Sequence, residues 1–236
     1  MSDYGHIRGV LFDKDGTLMD YERSWGVVNR EAARVVSRGD VELERRLLEA
    51  GGVDLSCDVT RMDSAFASGS TLDVARAFMA AGLEADESAL VDELNGLFSG
   101  VLETAVAVTD LREFFGELRG LGLCLGVASN DSAAGVASFL EKFGVSGLVD
   151  FAIGYDSGYG QKPGVGMLRG FCGAVGLDAG EVAMVGDTFH DMEMGRVGGV
   201  GLRVGVLTGT GTADELGEIS DICLSDVSES VSYTHL

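Results

Sequence analysis

The sequence predicts an α/β fold, a parallel sheet covered by helices on both faces and interrupted after its first strand by an all-helical insert. Short apolar runs bounded by polar residues begin at Ile7 and recur as far as Val204. From Thr109 onward they alternate with stretches of helical periodicity, which is the pattern of parallel βαβ units. Between about Met19 and Val106 the apolar residues recur at helical spacing instead.

The run Ile7 to Phe12 reads as a buried strand. After it, Trp25, Val28, Ala32, Val35 and Val36 share a helix face, as do Leu90, Leu94, Leu97 and Val101. Helices over Val41–Glu49 and Thr71–Ala80 lie between them, the second opened by an S-x-x-D signal at Ser70 and Asp73. Thr109 is placed to cap the next helix, with Leu111, Phe114, Phe115, Leu118 and Leu121 facing inward. Strands are then expected at Leu123–Ala128, Asp150–Ile153, Val182–Val185 and near Val200–Val204. The helices between them carry Val136, Phe139, Leu140 and Phe143, or follow Pro163 and Asp191. The glycine-rich stretch from Gly198 to Gly211 has no G-x-G-x-x-G that follows a strand and opens a helix, so it reads as strand and loop.

The expected organisation is a discontinuous α/β core, residues 1–18 and 107–230, with a helical insert over 19–106. The last six residues, VSYTHL from Val231, break from the preceding composition and resemble translated adapter sequence. They read as a suspected non-native tail outside the fold.

A chain of 236 residues with 46% hydrophobic content can bury a sizeable core. Its formal charge of −21 would repel phosphate backbones and anionic lipid alike, which argues against nucleic-acid and membrane partners. No apolar run approaches the roughly 20 residues of a membrane span. Cys57, Cys124, Cys172 and Cys223 form no CxxC pair, and three lie in apolar stretches, as small hydrophobes do. A soluble cytoplasmic protein is expected, monomeric or a small homo-oligomer.

In a parallel sheet ligands collect at the carboxyl edge, so polar residues just after different strands can converge. Four such groups occur: Asp13 and Asp15 in LFDKDGTL, Ser129 and Asn130 after LCLGVA, Lys162 before Pro163, and Asp187 with Asp191 after VAMV. Each has an ordinary reading alone. Ser129, Asn130 and Asp131 could cap a helix, Asp187 and Asp191 could be a turn and a helix-start charge, and a lysine is usually solvated. Two carboxylates at about 4 Å repel by roughly 4 kcal/mol at an effective dielectric of 20, so solvation is the ordinary reading of Asp13 and Asp15 and a cation the sharper one. In this order, each after an expected strand, the four groups form one site.

Written as DKDGT, ASN, KPG and GDTFHD, these motifs resemble those of the haloacid dehalogenase superfamily, in its phosphatase branch and similar to phosphoglycolate phosphatases. The resemblance spans nearly the whole core, and the helical insert resembles that family's cap. It implies a Rossmann-like core and a Mg²⁺-dependent phosphatase for a small phosphorylated metabolite, 2-phosphoglycolate among the candidates. Asp13 would be the nucleophile that forms an aspartyl phosphate, and Asp15 the acid and then the base. Ser129, Asn130, Thr17 and Lys162 would bind the phosphoryl group, with Lys162 also offsetting charge at Asp13. Mg²⁺ would be held by Asp13, the Asp15 carbonyl and Asp187, with Asp191 as a further ligand or as support behind them. Dehalogenases of the superfamily lack a carboxylate at the position of Asp15, since a leaving halide needs no proton. Phosphomutase, dehalogenase and a non-catalytic Mg²⁺/phosphate-binding regulator are the alternatives. In the insert, Arg23, Arg30 and Arg61 are candidate partners for a substrate carboxylate, although each alone reads more simply as a solvated helix charge. Ser68–Thr71 could be a site-facing loop or only a helix start. Trp25 fits the insert's own core. Lys14, on the opposite face of an extended chain, is expected to have no catalytic part.

Overall fold

The structure, a computed structural model, describes residues 4–232. The suspected tail therefore lies outside the described residues except for Val231 and Ser232, which end a 3-10 segment, Val227–Ser232. The chain forms two compact units, one made of the residues up to Asp20 together with those from Ala107 onward, the other of Tyr21–Val106.

The first unit holds a six-stranded parallel sheet. Its strands are β1 (Gly9–Phe12), β4 (Cys124–Ala128), β5 (Phe151–Ile153), β6 (Val182–Gly186), β7 (Leu202–Val206) and β8 (Ile222–Leu224), with β2 and β3 in the second unit. Their order is β5-β4-β1-β6-β7-β8. In core strands alone this runs third, second, first, fourth, fifth, sixth, the doubly wound arrangement whose reversal at the first strand opens a ligand crevice at the carboxyl edge. Phe12 pairs with Val127 on one side and Val185 on the other, so β1, β4 and β6 end at the same level.

Side chains alternate across the sheet. Leu11 packs with Met167, Leu168 and Phe171 of the helix Gly166–Val175 and with Met194 of the helix Phe189–Gly198. Phe12 faces the other layer, its ring 5.7 Å from Phe114 and 5.5 Å from Phe115 on the helix Leu111–Gly120. β1 is thus buried on both faces, which fixes the position of whatever follows it.

The structure moves several expected boundaries. Asp110, not Thr109, caps the helix Leu111–Gly120, accepting from the N–H groups of Arg112 and Glu113, and Leu121 is left exposed at its end. The helix expected from Asp191 starts at Phe189, because Thr188 and Asp191 form a capping box. β7 begins at Leu202 because Gly199 ends the preceding helix in a left-handed turn. The helix Ala213–Ile219 and strand β8 add to the expected elements, the helix opened by a capping box of Thr212 and Glu215.

The second unit is helical except for a ribbon of two residues on each side, β2 (Val53–Asp54) with β3 (Val59–Thr60), a departure from an all-helical insert. It arises where Gly52, at φ 116°, stops the helix Val41–Gly51 and turns the chain. The unit has its own core of Ala32, Val36, Leu47, Phe66, Phe78 and Leu94 among others. Ser70 and Asp73 form the expected capping box of the helix Thr71–Ala80, so Ser68–Thr71 is a helix start. Trp25 meets Phe98 edge-on at 5.9 Å.

Candidate active site

The shared level of three strand ends brings the dispersed motifs together. Asp13 leaves β1 with its N–H bonded to the Val185 carbonyl at 2.9 Å, and Ser129 leaves β4 with its N–H bonded to the Ile153 carbonyl at 3.1 Å. Asp187 follows β6 directly. Asp13, Lys162, Ser129, Asp187, Asp191 and Thr17 are all buried.

Lys162 is the electrostatic centre of this group. Its ammonium donates to Asp13 Oδ1 and, at 2.6 Å, to Asp191 Oδ1. Burial would neutralise an isolated lysine, but the two carboxylates outweigh it and hold the ammonium protonated, above its ordinary range. Asn130 does not reach outward. Its side-chain oxygen accepts from the Lys162 N–H at 2.8 Å and its amide donates to the Lys162 carbonyl at 3.1 Å, so it clamps the backbone that delivers the lysine.

Three carboxylates with one lysine leave buried negative charge. Burial, only partly offset by Lys162 and reinforced by Asp191 and Asp15, pushes Asp13 up to about 7. Burial, with Asp13 and Asp191 nearby, likewise raises Asp187 well above the usual carboxylate range. Asp13, Asp187 and Asp191 each offer an oxygen within 4.8 Å of the others. An all-oxygen donor set with surplus negative charge fits a hard divalent cation such as Mg²⁺.

Asp187 is seated by a loop that no sequence motif marks. The Thr210 N–H donates to Asp187 Oδ2 at 2.9 Å, and the Thr17 hydroxyl donates to Oδ1 at 3.4 Å. A methyl group on Gly209 or Gly16 would overlap the same carboxylate, and Gly16 also sits at φ 83°. Thr208 donates to the Gly16 carbonyl at 2.8 Å and so ties this loop to the first motif. A glycine-rich stretch after a late strand carries no periodicity. Its only sequence signal was the small size of its residues.

Asp191 acts partly through its helix. Its Oδ2 accepts from the Thr188 hydroxyl at 2.7 Å and the Thr188 N–H at 3.2 Å, leaving Oδ1 for Lys162. Ser129 donates to Asp15 Oδ2 at 3.4 Å. The turn after Asp13 folds back tightly, with the N–H groups of Leu18 and Met19 both bonded to the Lys14 carbonyl. It buries Lys14 completely, so the extended chain expected at this position is replaced by a tight turn. In the second unit, Arg30 is held by Glu22 and Asp58, and Arg61 reaches the Glu49 carbonyl.

Residues 7–199 match the family described as haloacid dehalogenase-like hydrolase. A phosphoglycolate phosphatase of Yersinia pestis is 28% identical over 213 residues, covering 87% of this chain and 84% of the relative. A probable phosphatase of Dickeya dadantii is 28% identical over 211 residues, covering 88% and 84%. Among solved structures, a predicted phosphoglycolate phosphatase from Haemophilus somnus superposes with a TM-score of 0.73 at 18% identity, covering 97% of this chain and 98% of that one. A putative beta-phosphoglucomutase from Thermotoga maritima gives 0.72 at 16%, covering 97% and 99%. At these identities the structural likeness speaks for the fold alone.

Proposed function

Because the chain belongs to the haloacid dehalogenase-like hydrolases, in their phosphatase branch, we propose that it hydrolyses a small phosphorylated metabolite through an aspartyl phosphate on Asp13, with Mg²⁺ as cofactor. The observation that carries this reading is the meeting of Asp13, Ser129, Lys162 and Asp187, from four separate segments, at one sheet edge.

In the first step an Asp13 carboxylate oxygen attacks phosphorus, the bond to the leaving oxygen breaks, and a proton passes from the Asp15 carboxyl to that oxygen. In the second step water attacks phosphorus, gives its proton to Asp15 and expels Asp13 as carboxylate. Splitting one displacement in two is the logic of covalent catalysis. The Lys162 ammonium offsets part of the cost of ionising Asp13 for attack and, with the Ser129 hydroxyl, bonds phosphoryl oxygens as charge develops on them. The carboxylates of Asp13, Asp187 and Asp191, with the Asp15 carbonyl, would hold Mg²⁺, which when bound neutralises phosphate charge. Thr17, Thr210, Gly16 and Gly209 orient Asp187, and Asn130 positions Lys162.

A phosphoglycolate-like substrate is the first candidate, since several relatives carry that name. The four cysteines are free thiols, which suits a reducing cytoplasm, and no described helix is long and apolar enough to cross a membrane. The test is release of nitrophenol from p-nitrophenyl phosphate with Mg²⁺ and with chelator, followed by a panel including 2-phosphoglycolate and sugar phosphates. Metal-dependent release and a preferred metabolite are expected. No release under any metal condition would favour a binding protein instead.

A further inference from the structure

Lys14 stands between the two motif aspartates and has no part in the mechanism above, yet it is 0% exposed. Its ammonium lies 2.6 Å from Asp15 Oδ1 and 3.0 Å from Asp131 Oδ2, with the Phe139 ring centroid 5.8 Å away. Burying an ammonium costs several kcal/mol unless partners compensate. Burial alone would pull this lysine down, but Asp15 and then Asp131 outweigh it and hold the charge.

Asp131 is itself fixed. Its Oδ1 accepts from the Ser132 N–H at 2.6 Å, and its own N–H donates to the Ser129 hydroxyl at 3.0 Å. Ser129 in turn donates toward Asp15 Oδ2. The Asp15 carboxylate is therefore gripped at Oδ1 by Lys14 and approached at Oδ2 by Ser129, and both grips run back to the segment after β4. A solvated lysine would need no second carboxylate or aromatic floor.

We infer that Lys14, anchored by Asp131, is a positioning residue that fixes the Asp15 carboxyl so that Oδ2 is the oxygen that delivers the proton to the leaving group. This rests on the reading of Asp15 as acid and base. With Oδ1 held by Lys14, the proton leaves from Oδ2 to the leaving oxygen in the first step, and in the second Oδ2 recovers it from water. Charge balance at Asp15 and Asp131 alone would make Lys14 structural. The two roles differ in how they depend on the leaving group.

The test compares kcat/KM, which reports steps up to departure of the alcohol, for phenyl phosphate and p-nitrophenyl phosphate. Phenolate needs the proton more than nitrophenolate does. Lys14→Met is expected to lower kcat/KM about 100-fold for phenyl phosphate, the scale of a misplaced catalytic group, and less than about 10-fold for p-nitrophenyl phosphate. Asp131→Asn, at a partly exposed side chain, is expected to show the same asymmetry with smaller losses, and it serves if Lys14→Met does not fold. Equal losses on both substrates, or none, in a folded variant would overturn the positioning role. Failure of the unaltered protein to hydrolyse either ester with Mg²⁺ would overturn the phosphatase reading and this one with it.

Discussion

Two buried lysines flank the end of β1, and each bridges two carboxylates. Lys162 joins Asp13 to Asp191, whose side chains are 7% and 0% exposed. Lys14 joins Asp15 to Asp131, which keep 21% and 29%. The first cluster also contains Asp187 and carries a surplus of buried negative charge. The second can share its charge with solvent. The same pairing therefore does different work: around Lys162 it leaves buried carboxylates that one lysine does not balance and that could hold a cation, and around Lys14 it holds one carboxylate in place.

The largest expected effect comes from removing the first lysine. Lys162→Met should lower kcat/KM by about 10²–10³-fold or more, the range for losing one donor to a developing anion, measured on p-nitrophenyl phosphate at saturating Mg²⁺. A smaller loss than that of Lys14→Met on the same ester would break the contrast.

Stability should separate the two sites next. Without metal, Lys162→Met strands buried carboxylates and is expected to cost about 3–5 kcal/mol, as breaking a buried pair does. Lys14→Met leaves carboxylates that can rehydrate, and about 1–3 kcal/mol is expected, between the exposed and buried cases. Thermal unfolding with and without Mg²⁺ checks this, because the ion should recover much of the first loss and little of the second.

The pH dependence sharpens the same point. Asp13 is raised from an ordinary 3.8 to about 7 by burial, and Asp187 is raised by the same cause. A raised carboxyl favours the protonated fold. Its contribution is fully present below about pH 4 and is lost as pH rises through about 7. The melting temperature of the metal-free protein should therefore carry a component that falls between pH 4 and 8, and Mg²⁺ should stabilise more at pH 8 than at pH 5.

A smaller change should reach the cation site and spare the Lys14 cluster. Gly209→Ala presses on the Asp187 carboxylate, and Mg²⁺ affinity by calorimetry is expected to weaken about 10-fold, the low end for a disturbed supporting group. An unchanged affinity would mean that the loop after β7 does not seat Asp187.

Asp13, Ser129, Lys162 and Asp187 were legible because each punctuates or follows an apolar run, and strand ends in a parallel sheet share an edge. Lys14 was not. Alternation along a strand places it opposite its neighbours, but the strand ends at Phe12 and the chain folds back onto the Lys14 carbonyl, carrying the side chain inside. The clamp that Asn130 forms was not legible, since its partner is the backbone of a residue 32 positions away. Strand β8 and the ribbon of β2 and β3 are two or three residues long, too short for periodicity to register.

The central claim, that Asp13 carries the phosphoryl group, is tested most directly by trapping it. The Asp15→Asn enzyme, incubated with p-nitrophenyl phosphate and Mg²⁺ and quenched in acid, should accumulate a phosphoryl group that peptide mass spectrometry locates on Asp13. A phosphoryl group on another residue, or turnover that survives Asp13→Asn, would contradict it.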